Sequence, residues 1–185
     1  EQTSDVRQLA RWQSEDHALC GRAGRPGGDT VRRVVGIDPG CSGAIVLLAG
    51  DRDLVPVEWM RAPLVRLGKS SRLDSAALAR FLGHHDVQHA YIEQVHSMPR
   101  QGVASSFGFG HAAGVAEGVV AALMIPTTLV TPQAWKKRAG LIGADKYAAR
   151  SRAVQLWPAW DALGKKAEGQ ALADAALIAR FGTAQ

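Results

Sequence analysis

Cysteine is almost missing from this chain. Cys20 and Cys41 are the only two in 185 residues. That is too few for a disulfide framework or a zinc site, and a reducing compartment is the default expectation. No apolar run nears the ~20 residues that a bilayer-spanning helix needs. The amino-terminal stretch carries Glu1, Asp5, Glu15 and Asp16 and lacks the apolar centre of a secretory signal. These absences point to a cytoplasmic protein with no membrane partner. Internal repeats are also lacking.

What is present is ordinary for a globular domain: 46% hydrophobic and 21% charged residues. The length suits one domain with a sizeable core. The net charge of +5 makes an anionic partner reasonable without identifying it. Residues 1–30 end in a Gly/Pro/Arg-rich stretch, RAGRPGGD, and read as an extension with room for a short helix over 6–12. Residues 31–185 read as the domain.

Short apolar runs at 34–37, 44–49 and 54–59, split by Pro-Gly and by GDRD, predict three consecutive antiparallel strands. Residues 74–82 have helical spacing behind Asp74 as a cap. Residues 89–93 read as a strand, and 126–130 as another. Between them, 105–124 predicts a helix rich in Gly and Ala. Gly110, Gly114 and Gly118 recur along one face of it, which predicts close packing against another element. Pro132 opens a helix at its first turn. Further helices are expected over 146–156, stopped by Trp157-Pro158, and over 170–181. The order implies an α/β fold: a mixed sheet with an antiparallel start, then parallel strands reached through helical crossovers.

Three carboxylates stand in apolar settings. Asp38 closes the first strand in VVGIDPGCSG, where Pro39 favours extended backbone. It is either a strand-end ligand or part of a simple Asp-Pro-Gly turn. Glu93 closes AYIE, at the carboxyl end of a strand where α/β sheets gather their sites, unless it is merely exposed there. Asp174 has Leu177, Ile178 and Phe181 at helical spacings, so it falls on the core-facing stripe. An unpaired carboxylate there is costly and calls for a cation or strong hydrogen bonds; a rotated helix would put it at the stripe edge instead. An oxygen-only set suits Mg²⁺ or Mn²⁺. Two such ions can activate water and stabilise the leaving oxygen of a phosphodiester.

The segment after Glu93 holds Phe107 and Phe109 among Gly and Ser, in position to stack on or wedge between bases, or else to anchor the next helix. His96 is either a site residue or an ordinary loop residue. Lys136, Lys137, Arg138, Lys146, Arg150 and Arg152 face one acid, Asp145, across 132–152. This is the best phosphate-binding surface, although a solvated helical face has the same composition. Lys165 and Lys166 would add charge near Asp174.

IDPGCSGA, IEQVHSMPRQGVASSFGFGHAAG, IPTTLVTPQAWKK, DKYAARSRAVQLWP and LADAALIA, in that order, resemble the bacterial and phage Holliday-junction resolvases of the RuvC class. The SMP-x-QG variant is phage-like, and the resemblance runs from about Val34 to Phe181. It implies a ribonuclease H-like fold with a five-stranded mixed sheet flanked by helices. It also implies a homodimer that resolves four-way DNA junctions by paired symmetric nicks, in recombination and repair. Asp38, Glu93 and Asp174 would be the metal ligands, with two Mg²⁺ or Mn²⁺ ions per site. Lys146 would act near the scissile phosphate, and Phe107 or Phe109 near the junction centre. Lys136, Lys137 and Arg150 would bind phosphates. Metal-activated water would attack phosphorus in line and leave 5′-phosphate and 3′-hydroxyl ends. The setting would be the cytoplasm of a bacterium or a phage-infected host.

One departure stands out. Similar sequences carry a further Asp or His three or four residues before the last acid; here Ala171 and Gln170 occupy those positions. Glu168 is the nearest carboxylate. On a continuous helix it points roughly 240° away from Asp174, so it joins the site only if the helix begins after it. The alternative reading is therefore a junction-binding protein of the same fold that cuts weakly or not at all. A sugar-kinase-like or actin-like ATPase is the rival of another class, but the chain is short and has no second phosphate loop.

Overall fold

The computed structural model describes residues 31–68, 70–94, 102–164 and 166–182. The expectations for 1–30, His96 and Lys165 lie outside the described residues. Three strands open the domain: β1 (Arg32–Ile37), β2 (Ala44–Gly50) and β3 (Val55–Arg61). They pair antiparallel, as the three apolar runs predict. A small hairpin follows, β4 (Leu64–Leu67) with β5 (Ser70–Leu73). Sequence reasoning missed it, because only Leu73 of its residues is buried and no apolar alternation marks it.

Helix α1 (Ser75–His84) starts at Asp74, whose side chain accepts the Ala77 N–H at 3.0 Å. Strand β6 (His89–Glu93) leads to α2 (Val103–Ala122), then β7 (Thr127–Val130) and α3 (Pro132–Ala139). In α3, Thr131 caps the helix and Gly140 ends it in the left-handed region at φ 73°. Helix α4 (Ala148–Leu156), a 3₁₀ turn (Asp161–Gly164) and α5 (Lys166–Phe181) complete the described residues.

The main sheet has the order β3-β2-β1-β6-β7. β1 and β6, and β6 and β7, run parallel. β1, β2 and β6 are covered on both faces, which is why their sequences read as continuous apolar runs. Alternate residues serve opposite cores. Val34, Val46, Leu48 and Tyr91 pack with α5, Trp135, Trp157 and Trp160. Val35, Ile37, Ile45, Leu47 and Ile92 pack with α1 and α2. Among the described residues no helix is long and apolar enough to cross a membrane.

Three expectations need correction. Among the described residues the Gly110, Gly114 and Gly118 face of α2 is not closely packed: a methyl group added at any of them would meet none of these residues within 4 Å. Ala112, Ala113, Ala116 and Val120 face the core instead. Apolar residues surround this helix on all sides, so spacing alone does not reveal which side is inside. Helix α4 begins at Ala148 rather than 146, because Asp145 Oδ1 accepts the Tyr147 N–H and holds a turn there. Helix α5 begins four residues earlier than 170, at Lys166, so Glu168 lies within it.

Candidate metal centre and nucleic-acid face

Pairing of β1 with β6 sets Ile37 beside Ile92, and this register carries Asp38 and Glu93, the next residue of each strand, to the same end of the sheet. Asp174 comes from α5. That helix lies directly against β1 because Gly36 has no side chain; a Cβ there would overlap the Ala175 carbonyl and crowd Ala179. The three acids, each half-buried, line one cleft of about 720 Å³ together with Gln170, Phe109 and Cys41.

The loop after β1 is tightly held. Asp38 N–H donates to the Ala44 carbonyl at 3.0 Å, and Asp38 Oδ1 accepts the Gly40 N–H at 3.1 Å. Gly43 sits so close to Asp38 that a Cβ would overlap it. Arg61 donates to the carbonyls of Gly43 at 3.2 Å and Ser42 at 2.7 Å. Asp38 is thus both a turn residue and a cleft acid. Neither Arg61 nor this pinning was visible in the sequence.

The other two acids each accept one neutral donor. Trp135 Nε1–H donates to Glu93 Oε1 at 2.8 Å. Gln170 Nε2–H donates to Asp174 Oδ1 at 3.1 Å. Burial and the neighbouring Glu93 charge raise the Asp38 carboxyl from 3.8 to about 6, against the opposing effects of the Gly40 N–H and Arg61. Burial raises Asp174 from 3.8 to about 7; the charges of Asp38 and Glu93 add to this, and the Gln170 hydrogen bond and Lys136 oppose it.

Carboxylates forced together out of water, with raised pKa values, fit the donor set of a hard divalent cation. The cluster is open. Among the described residues no three His, Cys, Asp or Glu side chains are arranged so that they could hold a metal ion as they stand. Glu168 does not join the cleft; its neighbours Ala167 and Gln170 do, as the helical phase of α5 requires. The condition for a fourth acid, a helix starting after Glu168, is not met.

The remaining site residues separate into two groups. Phe109 is half-buried on the cleft wall, whereas Phe107 is 66% exposed. Lys136 and Lys137 are exposed on α3, with Lys136 Nζ 5.3 Å from the Trp135 ring centre. Lys146 is exposed in the turn before α4, stacked on Tyr147, and does not line the cleft. Arg150 is engaged in the fold: its guanidinium donates to the carbonyls of Leu163 at 2.6 Å and Gly164 at 3.2 Å. Trp135 had no role in the sequence reading; a buried tryptophan beside a strand-end acid becomes visible only once β7 and α3 are placed.

A five-stranded mixed sheet with this order, flanked by helices and carrying acids at the ends of β1 and β6 and on the last helix, is a ribonuclease H-like fold. Within that fold the chain is similar to two solved structures of RuvC from Thermus thermophilus. To RuvC in complex with a Holliday junction substrate it is 19% identical, with a TM-score of 0.60 over 83% of this chain and 98% of that one. To the same organism's RuvC structure the identity is also 19%, with a TM-score of 0.56 over the same shares. No protein-family model matches the chain, and no curated protein matches it in sequence.

Proposed function

We propose that this protein is a divalent-metal-dependent DNA endonuclease that resolves four-way junctions and other branched DNA by paired symmetric nicks. The observation that carries the proposal is the convergence of Asp38, Glu93 and Asp174 in one cleft of a ribonuclease H-like fold. A similar fold is seen in a RuvC bound to a Holliday junction substrate. Asp38, Glu93 and Asp174 would hold Mg²⁺ or Mn²⁺, two ions per site. Such ions activate water and stabilise the leaving oxygen of a phosphodiester. Lys136, Lys137 and Lys146 supply exposed positive charge for the phosphate backbone. Phe109 on the cleft wall and Phe107 on the outer face of α2 offer rings to unpaired bases.

We place the protein in the cytoplasm as a homodimer, whose two-fold axis would match that of the junction. The open glycine face of α2 supports this assembly, since a second chain can approach its backbone closely.

A second reading has its own observation. Gln170 is neutral and bonded to Asp174 where an acid is usual, which favours a protein that holds junctions but cuts poorly. Incubation of an end-labelled four-way junction with the protein and Mn²⁺ separates the two. Nicks at symmetric positions on opposing strands support the nuclease. A gel shift with intact strands supports the binding protein, and a junction that is neither nicked nor shifted would refute both readings.

A further inference from the structure

Helix α3 is anchored at its start by Thr131 and Pro132, and Trp135 follows one turn later. Trp135 is 2% exposed and lies in the core formed with Val130, Leu172 and Leu177. An indole N–H is a donor with no acceptor capacity, so it has one hydrogen bond to place. That bond goes to Glu93 Oε1 at 2.8 Å. The β6 backbone fixes where Glu93 begins, but a glutamate side chain still has three rotatable bonds before its carboxylate.

A buried indole differs from the donors usually found beside an acid. It is neutral, so it orients the carboxylate without cancelling the charge that a cation needs. It is rigid and packed on its faces, so its N–H cannot follow a moving partner. The next residue, Lys136, sends its charge toward Asp174, so one helix treats two acids by different means.

We propose that Trp135 is a positioning residue for the metal centre: its buried N–H fixes Glu93 through Oε1 and leaves Oε2 for a divalent cation. This rests on the reading of Asp38, Glu93 and Asp174 as metal ligands. The test uses Trp135→Phe, which keeps an aromatic ring and removes the donor. Mn²⁺ alone is titrated into the full-length protein, with free Mn²⁺ followed by electron paramagnetic resonance, and melting is recorded in EDTA.

Loss of a hydrogen-bond partner behind a metal ligand weakens affinity by roughly 10–100-fold. The expected result is Mn²⁺ binding at least about tenfold weaker in the folded variant. The Mg²⁺ needed for half-maximal junction cleavage should rise in step, with most of the rate restored at saturating Mg²⁺. In a Glu93→Gln background, Trp135→Phe should weaken Mn²⁺ binding no further. A variant that melts earlier but binds Mn²⁺ like the parent overturns the proposal, because the indole then serves packing alone. If Trp135→Phe does not fold, benzothienylalanine at position 135 keeps the bicyclic shape and replaces the N–H with sulfur, and the same outcomes apply. Glu93→Gln in the parent protein tests the underlying reading separately. If it leaves Mn²⁺ binding intact, the metal-ligand assignment fails and this inference with it; if it weakens binding while Trp135→Phe does not, only this inference fails.

Discussion

Gln170 lies one turn before Asp174 on the last helix and gives its amide N–H to Asp174 Oδ1 at 3.1 Å. Its own Oε1 is buried with no hydrogen-bond partner among the described residues. An acid at position 170 would instead set two carboxylates facing each other. The neutral amide orients Asp174 and limits the negative charge in a cleft that already holds three acids.

Replacing Gln170 by Asp adds a fourth negative charge and a new oxygen ligand. Mn²⁺-dependent junction cleavage should rise, because the added carboxylate is a further oxygen ligand for a hard divalent cation. The same variant should melt earlier than the parent in EDTA, since like charges then face each other. Cleavage assays and paired melts with and without Mn²⁺ check both effects; a slower enzyme would show that the amide itself is required.

Asp174→Asn should abolish cleavage while junction binding by gel shift is retained. In EDTA at pH 8 the variant should also be more stable, because it removes a charge that burial disfavours. A gain of several degrees in Tm is the expected scale for a domain of this size. Lower stability in the absence of metal would count against a strained carboxylate.

The raised carboxyl values set a pH dependence. Asp38 goes from 3.8 to about 6, and Asp174 from 3.8 to about 7. Both acids hold protons more tightly in the folded chain than in the unfolded one, so folding is favoured at low pH. That stability is fully present below pH 3.8 and is lost as pH rises through about 6 and about 7. Metal binding requires the charged forms and displaces those protons. In EDTA, Tm should therefore fall between pH 4 and pH 8 in part because of these groups, and Mn²⁺ should restore it most at pH 8. Asp38→Asn combined with Asp174→Asn should flatten that part of the profile.

Gly36→Ala tests how the helix brings its acid to the strand. The added methyl would overlap the Ala175 carbonyl and push α5 away from β1. Overpacking of this kind costs about 1–3 kcal/mol, readable in urea unfolding. Cleavage should fall further than stability alone explains, because Asp174 moves away from Asp38.

Gly114→Leu tests the assembly. Among the described residues the position is open, so the fold should tolerate the larger residue, and helix propensity improves. Sedimentation should then show monomer where the parent is dimer. A parent that sediments as a monomer at all concentrations would contradict the dimer.

Much of this molecule was legible before folding was considered. The three opening strands, β6 and the capped start of α1 follow from apolar runs and from Asp74. Asp38, Glu93 and Asp174 drew notice because each carboxylate stands in apolar surroundings, and their joint position in the cleft follows from strand register and the tight contact at Gly36. The hairpin β4–β5 was not legible, because it buries almost nothing and so leaves no pattern. The glycine stripe misled, since small residues mark either a tight contact or an open face. Arg150 reads as a phosphate ligand by charge, and nothing in its surroundings in the sequence marks the bonds it makes to the carbonyls of Leu163 and Gly164. Trp135 escaped notice because its partner lies 42 residues away.

The most direct test is anomalous diffraction from crystals soaked in Mn²⁺. Manganese peaks are expected in the cleft in contact with carboxylate oxygens of Asp38, Glu93 and Asp174, with Glu168 outside the coordination sphere. Manganese bound only elsewhere, or bound in the cleft without Asp174, would contradict this expectation.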